Sequence, residues 1–298
     1  MSAASESVRT APGRLRRFWV IALPYGWLAL FFLAPFAIVL KISFAEQAMR
    51  IPPYTPLIAA GRLHATAANY LFLLSDSLYA RAYLNAIGFA AVGTLLCLLL
   101  GYPLAYGIVR APARWRNALL LLVVLPFWTS FLIRVYAWIG LLKGNGLINN
   151  FLIHIGLLQQ PLPLINNAFS IYVGLTYSYL PYMVLPLYAA LEKLDPALIE
   201  AAFDLGCRPA RAFWRVTWPL SLPGVIAGCL LVFIPMCGEF IIPDLLGGPN
   251  TLMIGKVLWD EFFTNRDWPV AASVAVALLA LLVVPMGLLR RYLTAESA

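Results

Sequence analysis

Six long apolar stretches constrain this chain more than any other feature. They run over about residues 18–42, 83–109, 117–142, 169–191, 219–243 and 268–289. Crossing the hydrocarbon of a bilayer takes about 20 mostly apolar residues in a helix. Lipid offers backbone groups no hydrogen bonds, so each stretch must satisfy its own by coiling or lie inside protein. The expectation is an all-α integral membrane protein with six transmembrane helices. Composition agrees, with 62% of the 298 residues hydrophobic and 11% charged, against about 25% charged in soluble domains.

The N-terminus imitates a secretion signal. Arg14, Arg16 and Arg17 precede an apolar run, and Ser43-Phe44-Ala45 resembles a cleavage site. The uncharged run Phe18–Leu40 is longer than the about 7–15 residues of a signal core, so a retained anchor is expected. The net charge of +8 does not point to nucleic acid, because Lys and Arg sit at the ends of apolar runs. Thirteen of them fall on the side that holds both termini and the loops near residues 110–116 and 193–215, against seven on the other side. Cytoplasmic loops carry such an excess, so both termini are expected in the cytoplasm. The partition is a cytoplasmic tail over 1–17, one membrane domain over 18–291 with a cytoplasmic loop at 192–218, and a second tail over 292–298. Opposite lie loops at about 43–82, 143–168 and 244–267. Leu147 to Leu158 is apolar but too short to span, and fits a helix at the interface.

Cys97, Cys207, Cys229 and Cys237 form no Cys-x-x-Cys pair and read as small hydrophobes. His64 and His154 are far apart and lack ligand-like neighbours, so no metal site is expected. There is no P-loop: Gly255-Lys256 is followed by Val257, and position 250 is Asn where the first glycine belongs. Hydrolase signatures are missing too. The chain is expected to bind no cofactor and to be no enzyme.

The loop at 192–218 has its own design. Asp195-Pro196 is a helix start, a capping carboxylate followed by a proline whose missing N–H does no harm. Gly206 is a natural stop, since glycine accepts the left-handed conformation that ends helices. Between them Leu198, Ala201, Ala202 and Leu205 share one face. Glu200 and Asp204, four apart, share another and repel, a small cost that a basic partner would reverse. Pro209 suits the start of a second short helix, Ala210 to Trp218. The spacing alone also fits a solvated hairpin that merely joins two spans.

Ionisable residues inside spans are costly and are functional candidates. Arg134, Glu239 and Asp244 qualify. Pro235, Gly238 and Pro243 surround the two carboxylates, and irregular backbone at that depth is tolerated where it lines a cavity. Two readings stand open: the carboxylates face a transport pathway, or one of them pairs with Arg134 as a packing ion pair.

Glu200-Ala201-Ala202, with Asp204, Leu205 and Gly206 and a closing Val216-Thr217-Trp218-Pro219, resembles the "EAA" loop of ABC importer permeases. Trp218 stands where that pattern has leucine. Phe127-Trp128-Thr129-Ser130, Arg134-Val135-Tyr136-Ala137-Trp138 and the run Gly238 to Asn250 are similar to the polyamine class of these permeases. Trp259-Asp260-Glu261-Phe262-Phe263 and Asn265-Arg266-Asp267-Trp268-Pro269 resemble the putrescine-transporter permeases within it. The likeness covers the chain from about residue 65 onward.

The resemblance implies a multi-pass subunit of the bacterial inner membrane with the type I importer fold. It implies a second, homologous permease, two ATPase subunits that use ATP and Mg, and a periplasmic polyamine-binding protein. Residues 200–202 and 204–206 would then dock on the ATPase. A polyamine needs carboxylates and aromatic faces for its ammonium groups. Glu239 and Asp244, with Trp128, Tyr136 and Tyr177, are the corresponding pathway candidates, joined by Trp138. Asp260, Glu261 and Asp267 add acidity at the outer mouth. The alternatives are a permease for another small cationic or polar solute, or a secondary transporter.

Overall fold

The computed structural model describes residues 14–56, 58–59, 62–63, 65–249 and 251–295, with side chains over 18–56, 65–249 and 251–283. Residues 1–13 and 296–298 of the expected tails lie outside the described residues, as does Asn250. So do the side chains of Arg14, Arg16, Arg17, Arg62, Arg290 and Arg291.

The first apolar stretch is helical throughout: α1 (Arg14–Leu28), a π-helical turn (Ala29–Leu33) and α2 (Ala34–Ser43). The widened turn falls just before Pro35, whose ring admits no ordinary helical hydrogen bond. None of residues 18–33 is buried, Trp19, Trp27, Phe31 and Phe32 included. Water does not tolerate an apolar face of that extent, whereas bilayer does. A short antiparallel pair, β1 (Ile58–Ala59) and β2 (Arg62–Leu63), and the helix α3 (Ala68–Ser75) follow.

Three helices make the core: α4 (Ser77–Arg110), α8 (Ala168–Glu192) and α11 (Trp218–Cys237). Asp76 caps α4, its Oδ1 accepting the Leu78 N–H at 2.8 Å. Asn167 and Ser170 cap α8 reciprocally, each side chain accepting the other residue's backbone N–H. Pro103, Pro181, Pro186, Pro223 and Pro235 all lie within these helices, as packed membrane bundles allow. Close approach depends on small residues. A Cβ on Gly224 would overlap Ala190 and the Pro186 carbonyl, and one on Gly228 would overlap Met183. Cys97 and Cys237 are buried beside Leu175, Met183 and Met236, as small hydrophobes.

Around the core lie α5 (Ala113–Val124), α6 (Phe131–Leu142), α7 (Leu147–His154), α12 (Ile241–Leu246), α13 (Ile254–Trp259) and α14 (Trp268–Ala295). The last packs on α2. Among the described residues, four helical stretches are long and apolar enough to cross a membrane: Phe18–Ser43, Ser77–Arg110, Phe131–His154 and Pro209–Cys237. The third of these bends at the turn 143–146, which separates α6 from α7. The helix expected at 147–158 is α7, which ends at His154; Asn149 anchors it by exchanging two hydrogen bonds with the Leu162 backbone at 3.0 and 2.9 Å.

Two expected spans are not single helices. The stretch 117–142 is broken by a tight turn at Leu125–Trp128 and extended backbone at Thr129. Pro126 has no N–H to donate, which interrupts the α-helical hydrogen-bond ladder there. The stretch 219–243 breaks at Gly238–Phe240, between α11 and α12. The half-helices that follow the two breaks, α6 and α12, pack against each other.

Candidate functional site

The first site is the elbow between α8 and α11. Its helix α9 (Pro196–Asp204) starts where Asp195 Oδ1 accepts the Ala197 N–H at 2.9 Å. It stops at Gly206, whose φ is +78°. There the Cys207 N–H reaches the Ala202 carbonyl at 3.0 Å and the Gly206 N–H reaches Phe203 at 2.8 Å. That paired closure is the Schellman arrangement, which glycine adopts without steric cost.

Glu200, Ala201, Asp204, Leu205 and Gly206 are exposed, and Leu205 reaches 85%. Ala202 is buried and packs inward. Among the described residues neither Glu200 nor Asp204 forms an ion pair. Behind α9 lies a cavity of about 390 Å³, walled by Tyr106, Arg110, Arg116, Glu192, Ile199 and Phe203.

The second half of the elbow is α10 (Pro209–Ala212) and a π-helical turn, Phe213–Thr217, that runs directly into α11. Phe213 meets Tyr102 and Tyr106 of α4 edge-on at 5.6 and 5.9 Å. Trp218 lies 5.3 Å from Tyr102, whose hydroxyl is 2.9 Å from Ser221 Oγ. Trp218, where the resembling loops have leucine, thus ties the elbow to α4. The elbow is thus joined to two of the three core helices, α4 by contact and α11 by continuity of the chain.

The second site is the pair of breaks. Glu239 is 8% exposed. Its Oε1 accepts the backbone N–H of Phe240 and Ile241 at 3.2 and 3.0 Å, which caps α12. Its Oε2 accepts the Tyr179 hydroxyl of α8 at 2.5 Å. Both oxygens are therefore engaged within the chain. Tyr179 continues through Tyr182 (6.0 Å) to Phe127 (5.0 Å). The Arg134 guanidinium lies over Phe127 at 5.4 Å and over Phe131 at 5.5 Å. Three aromatic rings stand between Glu239 and Arg134, and the two form no ion pair.

Asp244 does not pair with Arg134 either. It holds Lys256 at 2.5 Å, and Lys256 lies 3.5 Å from Asp260. The hydrogen bond it donates to Asp244 keeps the Lys256 ammonium above the ordinary lysine pKa, outweighing partial burial, which acts the other way. The remaining outer carboxylates also have structural partners. Glu261 accepts the Tyr79 hydroxyl at 2.8 Å, and Asp267 accepts the Val270 N–H at 3.0 Å. Burial raises the Asp267 pKa.

Trp128 and Tyr136 are on the surface, Tyr177 is at its edge, and Trp138 meets Tyr177 edge-on at 5.5 Å. These aromatics do not converge with Glu239 and Asp244 on one chamber within this chain. Sequence reasoning missed Tyr179, although a carboxylate buried at a helix break demands a donor. It also read Lys256 only as a topology charge, despite Asp260 four residues on.

A family described as "Binding-protein-dependent transport system inner membrane component" matches residues 97–295. The chain belongs to this family. It is an ABC importer permease of the inner membrane. The spermidine/putrescine transport system permease protein PotB of Haemophilus influenzae is 40% identical over 262 residues, 88% of each chain. The PotB of Escherichia coli K12 is 39% identical over 85% of this permease and 89% of its own length. In fold, the permease resembles a chain of a bacterial ABC transporter that imports the acidic polysaccharide alginate. The TM-score is 0.64 at 17% identity, over 93% of this chain and 97% of that one.

Proposed function

We propose that this permease is one of two homologous membrane subunits of an ATP-driven importer that carries putrescine or spermidine into the cytoplasm. One observation carries the reading: an exposed, firmly capped elbow, wired by Phe213 and Trp218 to the core, on a chain without a nucleotide-binding sequence. Such a lever has work to do only if another subunit moves it. Two ATPase subunits, which use ATP and Mg, receive Glu200, Ala201, Asp204, Leu205 and Gly206, while buried Ala202 sets the helix on its seat. Both termini and the elbow face the cytoplasm, and six helical segments cross the membrane. Closure of the ATPase pair swings the bundle between inward-open and outward-open forms, and a periplasmic binding protein delivers cargo.

The cargo class is supported by the 40% identity to a spermidine/putrescine permease and by chemistry. Ammonium groups need carboxylates and aromatic faces, which Asp244, Trp128, Tyr136 and Tyr177 offer. An ammonium of the cargo displaces Lys256 from Asp244. That competition keeps binding weak, as a transit site requires. Glu239, held by Tyr179 and the α12 backbone, fixes the pathway wall.

The test is recovery of the ATPase with the purified permease after Glu200→Arg. The proposal expects the ATPase to be lost while the two membrane subunits stay together. Undiminished recovery refutes docking at the elbow.

A further inference from the structure

Arg134 lies well inside an expected span, and its charge meets no counter-charge and no acceptor among the described residues. Its Nε and Nη1 are buried without a hydrogen-bond partner. The rings of Phe127 and Phe131 flank it, which softens the charge and does not neutralise it. The two nearby carboxylates are taken: Glu239 by Tyr179 and the α12 backbone, Asp244 by Lys256. Arg134 also sits in the first turn of α6, the positive end of that half-helix, where a cation is disfavoured. Eight residues, roughly 12 Å of helix, separate it from Leu142 at the far end of α6, so headgroups lie a long reach away.

We propose that a carboxylate on the companion permease subunit pairs with Arg134 when the two membrane subunits assemble, meeting the part of the guanidinium that this half-buried side chain leaves accessible, since Nε and Nη1 are already enclosed within this chain. The inference rests on the two-permease reading above. The surface around Arg134 suits such an interface. Trp128 of the turn and Ile133 and Tyr136 of α6 are strongly exposed, at 74%, 66% and 58% respectively. Aromatic side chains gathered around an arginine are the composition of interface hot spots. The pairing also answers a problem of transport: an uncompensated guanidinium beside the breaks would repel a polycation, and a carboxylate opposite it removes that barrier.

The experiment uses the full importer, with both permease chains and the ATPase expressed together. Arg134→Met and Arg134→Lys are compared by the ratio of companion permease to this chain after purification. Truncating one member of a buried charge pair weakens association by about 30-fold or more, so Arg134→Met loses the companion. Arg134→Lys keeps the charge and retains most of it. An unfolded Arg134→Met chain would blur that comparison. A second measurement therefore attaches a crosslinker at Arg134→Cys in the assembled importer, and crosslinks to the companion are expected. Full recovery of the companion with Arg134→Met overturns the proposal. So does a fully assembled Arg134→Met importer that has lost only transport, which places Arg134 in contact with cargo. Crosslinks confined to this chain overturn it as well. Recovery of the companion and crosslinking do not depend on the cargo, so failure of the polyamine reading leaves the proposal standing.

Discussion

Replacing Gly206 with alanine tests whether the elbow acts through its shape. Gly206 has φ +78°, and a Cβ there would meet nothing within 4 Å. The cost of alanine is therefore conformational. Holding an L-residue in the left-handed region costs about 1–2 kcal/mol. Escaping that cost by opening the turn gives up the two hydrogen bonds at 2.8 and 3.0 Å, each contributing about 0.5–1.5 kcal/mol. Either route disfavours the capped elbow by about 1–2 kcal/mol, a drop of roughly 5–30-fold in the fraction of permease ready to dock. Titrating the ATPase onto the solubilised pair of membrane subunits reads this directly as a weaker apparent affinity. Melting of the membrane domain stays nearly unchanged, because the exposed turn lies outside the core. Gly206→Asn separates shape from bulk. Asparagine is larger than alanine yet tolerates the left-handed region, so it must be the milder change. Unaltered affinity for Gly206→Ala, or a greater loss for asparagine than for alanine, refutes the reasoning.

Tyr179→Phe leaves Glu239 Oε2 buried without its donor and should destabilise the solubilised permease by about 1–3 kcal/mol, read by thermal unfolding. The effect should be non-additive with Glu239→Gln, since the two groups share one bond. Asp244→Asn should weaken uptake at low cargo concentration more than at saturation, with assembly unchanged; a loss of assembly instead would make the Asp244–Lys256 pair structural. Gly224→Leu should destabilise by about 1–3 kcal/mol or more through overpacking against Ala190 and Pro186, and a variant with wild-type melting contradicts the close approach of α8 and α11.

The elbow was legible because caps are local: Asp195, Pro196 and Gly206 act on neighbours within a few residues, and each does what its chemistry predicts. The long apolar helices were legible for the same reason, as hydropathy is a property of consecutive residues. The break at 125–130 was not read, because hydropathy counts Pro126 as one residue among many while its missing donor interrupts the backbone. Glu239 was recognised as exceptional, but its job was hidden: Tyr179 lies 60 residues away and comes near only when α8 packs on α11. The expected alternative of a Glu239–Arg134 pair failed for a similar reason, since two rings of α8 and one of the turn at 125–128 come between them. Ala202 belongs to the docking residues that the family resemblance implies, and the fold turns it inward.

The most direct measurement of the central claim is uptake of labelled putrescine and spermidine by vesicles holding this permease with its companion subunit, the ATPase pair and the binding protein. Uptake that requires ATP hydrolysis and disappears when the elbow is disabled by Glu200→Arg is the predicted result. Uptake by this chain alone, without nucleotide, contradicts it.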